Sequence, residues 1–296
     1  MAINKLAFAG ILLAIFVNRN RMLFGISTGS LPKEYEALVQ PKDDVLQYYL
    51  EKHHKQIGSD FVPYKNHCLR VLAFTKYFLA RDGIQLKKET MHVISMALAY
   101  HDIALWTDRE LNYLEPSVGQ LEKRVTEEMQ QTKKQGERDE ASMYVPKILD
   151  WSNFMEEEQI LAKEIILQHH KITHYRHDNN DNDGNDPDAA DKNDSNSGSD
   201  ATTTTTNNYK KINKKNYSEK DGRVEYMNEI VNAVRKADWA DATMGIVRFG
   251  LPQSVLAAAY DVIPEAGFHK ILLGMGARLS PNNLMKRMDV LRILKF

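Results

Sequence analysis

The sequence contains one cysteine, Cys68, in 296 residues. A single thiol excludes an internal disulfide framework and any cysteine-rich zinc site. There is no basic excess: 39 Lys+Arg stand against 40 Asp+Glu, a formal charge of −1. That removes the simplest argument for a nucleic-acid partner, which needs a basic patch or stripe, and none is expected. Runs of alternating β-branched residues are almost absent, so a sheet has no support in the pattern. No apolar run reaches the roughly 20 residues of a membrane-spanning helix. Leu6 to Val17 is apolar throughout but only twelve residues long. The apolar fraction, 43%, and the charged fraction, 27%, are ordinary for a globular chain.

The chain divides into unlike parts. Residues 1–33 carry Lys5, Arg19, Arg21 and Lys33 and no acidic residue. The apolar run inside them has the length of a signal-peptide core, but no small-x-small cleavage site follows it. The segment reads as a targeting sequence or weak membrane anchor, or else as a buried or frayed helix. Localisation therefore stays open between the cytoplasm and an organelle or membrane. From residue 42 to 296 the helical period takes over. Apolar residues recur at three- and four-residue spacing near 43–57, 61–81, 87–106, 117–135, 139–150, 155–173, 219–245, 252–261 and 265–275. The body is expected to be one all-α domain.

An insertion at 177–217 interrupts it. Asp178 to Asn208 holds eight Asp, eight Asn and five consecutive Thr, and its only apolar residues are three alanines. Such a stretch cannot bury enough surface to offset the entropy of ordering it, so disorder is expected. With eight Asp and one Lys the tract carries −7 of the total −1, leaving +6 for the rest. The folded part is mildly basic, which suits a small anionic substrate.

Ten histidines are the remaining feature, and imidazole binds metals and moves protons near neutral pH. Four segments stand out: Asn66-His67-Cys68, Tyr100-His101-Asp102, Gln168-His169-His170-Lys171 and Lys236-Ala237-Asp238-Trp239. Residues three, four and seven apart share a helix face. By that rule His67 lies with Val71, Phe74 and Phe78, and His101 with Ile94, Ala97 and Leu98. His169 lies with Ala162, Ile165 and Ile166, and Asp238 with Val231 and Val234. These polar residues occupy core-facing positions. A buried carboxylate needs a partner or a metal, so Asp102 and Asp238 call for imidazoles and a divalent cation. A lone histidine on such a face is more often a hydrogen-bonded core residue; four coincidences are harder to explain that way. Cys68, His53, His54, His174 and His269 are read as structural.

The order His67, then His101-Asp102 34 residues later, then the distant Asp238 resembles the HD-domain superfamily of metal-dependent phosphohydrolases. The flanking His67-to-Val71 and Arg235-Lys-Ala-Asp-Trp239 sequences fit that pattern. The likeness runs from about Asp60 to Gly245 without the insertion, roughly half of the chain. The blocks Asn112–Ser117, His169–Lys171, Phe249–Pro252 and Ala266–His269 look like those of a largely uncharacterised branch.

The resemblance implies a helical bundle holding one divalent ion through His67, His101, Asp102 and Asp238. Mn, Fe, Co, Ni, Zn or Mg are the candidates, with geometry rather than the ligand list choosing among them. Residues 103–168 contain no histidine, so the second-metal set of some family members is incomplete and one ion is favoured. His169 and His170 then become substrate-facing residues or proton donors. Arg70, Lys171 and Lys236 are candidate anion-binding cations, and Tyr113 a substrate contact. The mononuclear nucleotidases of the superfamily carry a Glu where this chain has Leu105, and Asp108 or Glu115 is the candidate substitute.

The expected reaction is metal-assisted hydrolysis of a phosphate ester or anhydride of a small molecule or nucleotide. Two alternatives stand beside it. One is hydration of a small nitrile-like substrate on the same scaffold, in the manner of cyanamide hydratase. The other is a non-catalytic binding protein with a vestigial site.

Overall fold

A computed structural model of the chain describes residues 33–110, 112–135, 156–176 and 219–279. Among them every regular element is a helix, and no strand is present. In chain order these are α1 (Lys33–Glu36), α2 (Asp44–Glu51), α3 (His54–Ile57), α4 (Phe61–Arg81), α5 (Lys88–Tyr100), α6 (Ala104–Thr107), α7 (Leu114–Gln135), α8 (Glu156–Gln168), α9 (Glu219–Ala242), α10 (Gln253–Val262) and α11 (Phe268–Leu279). The all-α expectation holds. Residues 1–32, the helix expected near 139–150 and the insertion at 177–217 lie outside the described residues. No helix among the described residues is long and apolar enough to cross a membrane.

Local chemistry sets the helix ends. Asp43 caps α2 by accepting from the Leu46 N–H at 2.9 Å. Pro63 falls in the first turn of α4, where backbone N–H groups have no helical acceptor to lose. The other end of α4 closes on Gly83 at φ +73°, with Gly83 N–H donating to Ala80 and Ile84 N–H to Leu79. That paired pattern satisfies the last carbonyls and turns the chain. α9 closes in the same way on Met244 and Gly245, whose N–H groups donate to Asp241 and Ala240. Gly245 sits at φ +77°, and a Cβ there would collide with Leu256.

α4 is the hub of the bundle. α9, α5, α10 and α11 pack against it, and α5 also packs against α2, α7 and α8. The face read from the sequence is the buried one: Val71, Phe74, Phe78, Ile94, Leu98, Ile165 and Val234 have no solvent exposure. Each large apolar side chain so buried contributes about 1.5–3 kcal/mol relative to exposure.

Two features differ from a simple run of helices. The pattern at 87–106 predicts one helix; the structure breaks it after Tyr100 and restarts it at Ala104. Across the break the bonds tighten to the i→i−3 type, Ile103 to Tyr100 and Leu105 to Asp102. Side chains take over the displaced N–H groups: Asp102 N–H donates to the Tyr64 hydroxyl at 3.2 Å and Ala104 N–H to Ser117 Oγ at 3.2 Å. The second feature lies just after α8. The buried Asn232 amide on α9 accepts from Tyr175 N–H at 2.9 Å and donates to Tyr175 C=O at 3.0 Å. Arg235 donates to the carbonyls of Lys171 and Ile172 at 2.9 and 2.6 Å. The strand-free segment 171–176 is thereby stitched to α9.

Candidate metal centre

Four helices contribute side chains to one buried cluster. His67 comes from the middle of α4 and Asp238 from the last turns of α9. His101-Asp102 and His169-His170 follow immediately after α5 and α8. The two helix ends use one device. Where α5 stops, Leu98 C=O loses its helical donor and accepts His101 Nδ1–H at 2.6 Å. Where α8 stops, Ile166 C=O accepts His169 Nδ1–H at 2.7 Å. Each histidine folds back three residues onto a carbonyl freed by the helix end, a favourable place for an imidazole.

This fixes the proton on each ring. A carbonyl only accepts, so Nδ1 of His101 and His169 carries the hydrogen and Nε2 keeps its lone pair. His67 follows the same rule, with Nδ1 at 2.7 Å from Asp241 Oδ2. The freed Nε2 atoms turn inward. Those of His67 and His101 lie 3.1 Å apart. His67 Nε2 is 3.3 Å from Asp238 Oδ1, and His101 Nε2 is 3.3 Å from Asp102 Oδ2. On the other side of the same carboxylate, Asp102 Oδ1 is 3.2 Å from His169 Nε2 and 3.7 Å from His170 Nε2.

Three sets in this cluster bring ligand atoms within 4.8 Å of one another: His67, His101 and Asp238; His101, Asp102 and His169; His169, His170 and Asp238. Neutral nitrogen lone pairs facing one another at hydrogen-bonding distance repel unless a proton or cation lies among them. The donor set therefore fits a divalent cation: imidazole nitrogens and carboxylate oxygens, buried, with their outer atoms hydrogen-bonded.

The electrostatics agree. Burial opposes charge on His67, but Asp238 and Asp241 outweigh it and push the imidazole up to about 9. Burial takes His101 down to about 4, with His169 and His67 adding to the effect against Asp102. Burial also penalises the Asp102 carboxylate, yet His101, His169 and His170 hold it well below the ordinary carboxylate range. Burial opposes charge on His169 too, but Asp102 and Asp238 raise it, so in the protein alone His67 and His169 supply the positive charge that two buried carboxylates demand.

Aromatic rings wall the cluster. Phe268 stacks on His67 with ring centres 4.0 Å apart and 9° between planes. Tyr64 stacks against both His67 and His101 and packs on Trp106. The one more open member is His170, whose side chain is 19% exposed against 0–6% for the others. Its Nε2 is hydrogen-bonded to the Tyr113 hydroxyl, and Trp239 Nε1–H donates to its carbonyl.

The structure thus brings together His67, His101, Asp102, Asp238, His169 and His170, with Tyr113 at the edge. It places Asp108, Arg70 and Lys236 elsewhere. Asp108 is exposed at the end of α6, bound to Thr107 and Gln120, because the early break in α5 turns the chain outward there. Arg70 is fully buried and bound to Asp241 through Nε at 2.6 Å and a terminal nitrogen at 2.9 Å. Lys236, two residues before Asp238, lies on another face of α9, over the Phe78 ring. Lys171 follows the cluster, and its carbonyl is held by Arg235. Among the described residues no lysine or arginine pairs with Asp102 or Asp238.

Sequence reasoning missed Asp241 and Tyr64. Asp241 stands three residues after Asp238 and so shares its inward face; a second carboxylate on one buried face was the available signal. Tyr64 stands three residues before His67, also on the inward face. Cys68 is buried, with its thiol against Leu98 C=O, as a core residue should be. His269, expected to be structural, donates through Nε2 to the Asp241 carbonyl at 2.9 Å.

A comparison with protein-family models gives no match to this chain. Comparisons with curated proteins and with solved structures give none either.

Proposed function

We propose that this protein is a metal-dependent hydrolase of the HD type, acting on a phosphate ester or anhydride of a small molecule or nucleotide. One observation carries the reading: inward-facing imidazole nitrogens and carboxylate oxygens converge in a buried cluster, with each of three Nδ1 atoms tied to an outer acceptor. The order of the ligands along the chain, His67, His101-Asp102 and Asp238, supports the likeness to the HD-domain superfamily. These four residues would hold a divalent ion. When bound, such an ion supplies the positive charge that activates water as a nucleophile and polarises an ester oxygen.

The chain's own groups do the rest. Asp102 faces two ways, Oδ2 toward His67 and His101 and Oδ1 toward His169 and His170. Donor atoms therefore lie on both sides of Asp102, more than the spacing alone implies, and would allow a second ion to be held. Metal stoichiometry assigns the second histidine pair. Two ions per chain make His169 and His170 ligands. One ion leaves the more open His170, oriented by Tyr113, as a neutral imidazole, because burial and His169 lower its pKa; it is suited to accept a proton rather than to donate one. The aromatic wall of Phe268, Tyr64 and Trp106 limits water on the inner side, which strengthens every charge interaction there.

A second reading has its own support. Arg70 and Lys236 do not face the cluster, so neither supplies the fixed cations that phosphoryl transfer uses. A small neutral substrate, hydrated in the manner of cyanamide hydratase, needs no such cations.

The deciding experiment is metal analysis of purified full-length protein, followed by a phosphate-release screen and a cyanamide-hydration assay. Stoichiometric metal with phosphate release supports the first reading. Metal with hydration and no phosphate release supports the second. No bound metal, or equal metal in Asp102→Ala, overturns both and leaves a binding protein.

A further inference from the structure

Arg70 was expected to meet a substrate, and its burial poses the question of what a fully enclosed guanidinium does beside a metal-type cluster. Its fork grips the Asp241 carboxylate through two nitrogens at 2.6 and 2.9 Å. Its remaining nitrogen donates to the carbonyls of Ile263 and Pro264 at 3.2 and 3.0 Å, and its plane lies 4.6 Å from the Tyr260 ring centre. A bidentate guanidinium holds a carboxylate in one plane, which a lysine cannot do. The Asp241 oxygen facing His67 is the same Oδ2 that Arg70 holds at 2.9 Å. The Asp241 main chain is fixed as well: its carbonyl accepts from His269 Nε2–H at 2.9 Å and from the Tyr260 hydroxyl at 3.3 Å. Phe268 then stacks on the His67 ring.

We infer that Asp241, locked by Arg70, is the positioning residue that makes His67 a metal ligand through Nε2, resting on the metal-centre reading above. His101 and His169 obtain the same orientation from backbone carbonyls at helix ends. His67 sits in mid-helix, where every nearby carbonyl is already engaged in the α4 ladder, so its outer acceptor must come from another element. α9 provides it one turn beyond the ligand Asp238. The 263–269 turn belongs to the device too, since it supplies the carbonyls that orient Arg70 and the ring that covers His67.

Zinc affinity of the full-length protein, measured by competition with a chromophoric chelator, reads the device without requiring turnover. Asp241→Asn should weaken zinc binding about 10–100-fold, the usual cost of losing an outer partner of a ligating histidine, while helical circular dichroism stays at the wild-type level. Nitrogen-15 spectra of the zinc-loaded wild type provide a second readout that does not depend on the variant folding. His67 should show a proton on Nδ1 and zinc on Nε2. A folded Asp241→Asn protein that binds zinc as tightly as wild type, or a His67 coordinated through Nδ1, overturns the positioning role alone. A wild type that binds no zinc or other divalent ion overturns the functional reading and this one together.

Discussion

His67 and His101 touch, yet the protein pushes them in opposite directions, to about 9 and about 4. Both start from 6.5, so the signs can be worked out separately. His67 is raised, so in metal-free protein its pairing with Asp238 and Asp241 stabilises fully below about pH 6.5 and is lost as pH rises through about 9. His101 is lowered, so its contribution is present above about pH 6.5 and is lost as pH falls through about 4. Metal-free protein should therefore melt highest near pH 6.5 and lower on both sides. Added zinc should remove most of the alkaline decline, because a ligating His67 is already neutral. Thermal melts from pH 4 to 9.5, with and without zinc, measure this, and an unchanged alkaline limb would count against His67 as a ligand. At this scale much was legible beforehand. The helical phase of His67, His101, His169 and Asp238 placed all four inward, and they are buried. Spacing alone puts Arg70 one turn after His67, near any substrate bound there. The same spacing puts it on the buried face, where Asp241 waits.

Helix ends are where the sequence says least and the site depends most. From Ala97 to Trp106 the pattern continues without a breaker, and nothing local stops α5 at Tyr100. The stop is tertiary: Tyr64 on α4 and Ser117 on α7 accept the N–H groups that a continuing helix would have bonded internally. Only after that interruption is Leu98 C=O free for His101. Tyr64→Phe should thus act on the site as well as on stability. It leaves the Asp102 N–H buried without its acceptor, a loss of about 1–3 kcal/mol. Metal affinity should fall with it, since both members of the His-Asp pair sit on the altered turn. Denaturant unfolding and zinc competition together test this; a variant with reduced stability but wild-type affinity would separate the turn from the site. The ends of α4 and α9 give a cleaner stability test. Gly83→Ala meets nothing and carries only the left-handed backbone penalty, whereas Gly245→Ala also drives a methyl group into Leu256. Their expected costs are about 1 and about 3 kcal/mol.

Across the whole molecule, the candidate ligands come from α4, α9 and the segments following α5 and α8, so an ion held by them would tie together elements far apart in the sequence. Binding to the folded state alone adds about 2.7 kcal/mol at a hundredfold excess over the dissociation constant. That corresponds to several degrees in melting temperature. The all-α architecture was readable from periodicity alone, because nothing in the chain competes with it. Which helices meet was not readable, since α4 against α9 is a pairing across more than 150 residues. The chain between α8 and α9 includes the Asp/Asn/Thr tract, and here the Asn232 and Arg235 stitches have a further consequence. They secure the chain at 171–176 before it departs, so the distance from His169-His170 to Asp238 is set by α9 rather than by what is threaded between. Deleting Asn179–Asn208 should leave zinc stoichiometry and the zinc-induced rise in melting temperature unchanged. With that anchoring, insertions or deletions beyond residue 176 should leave the His169-His170 end of the cluster where it is, so the geometry of the cluster depends on Asn232 and Arg235 and not on the length of the tract.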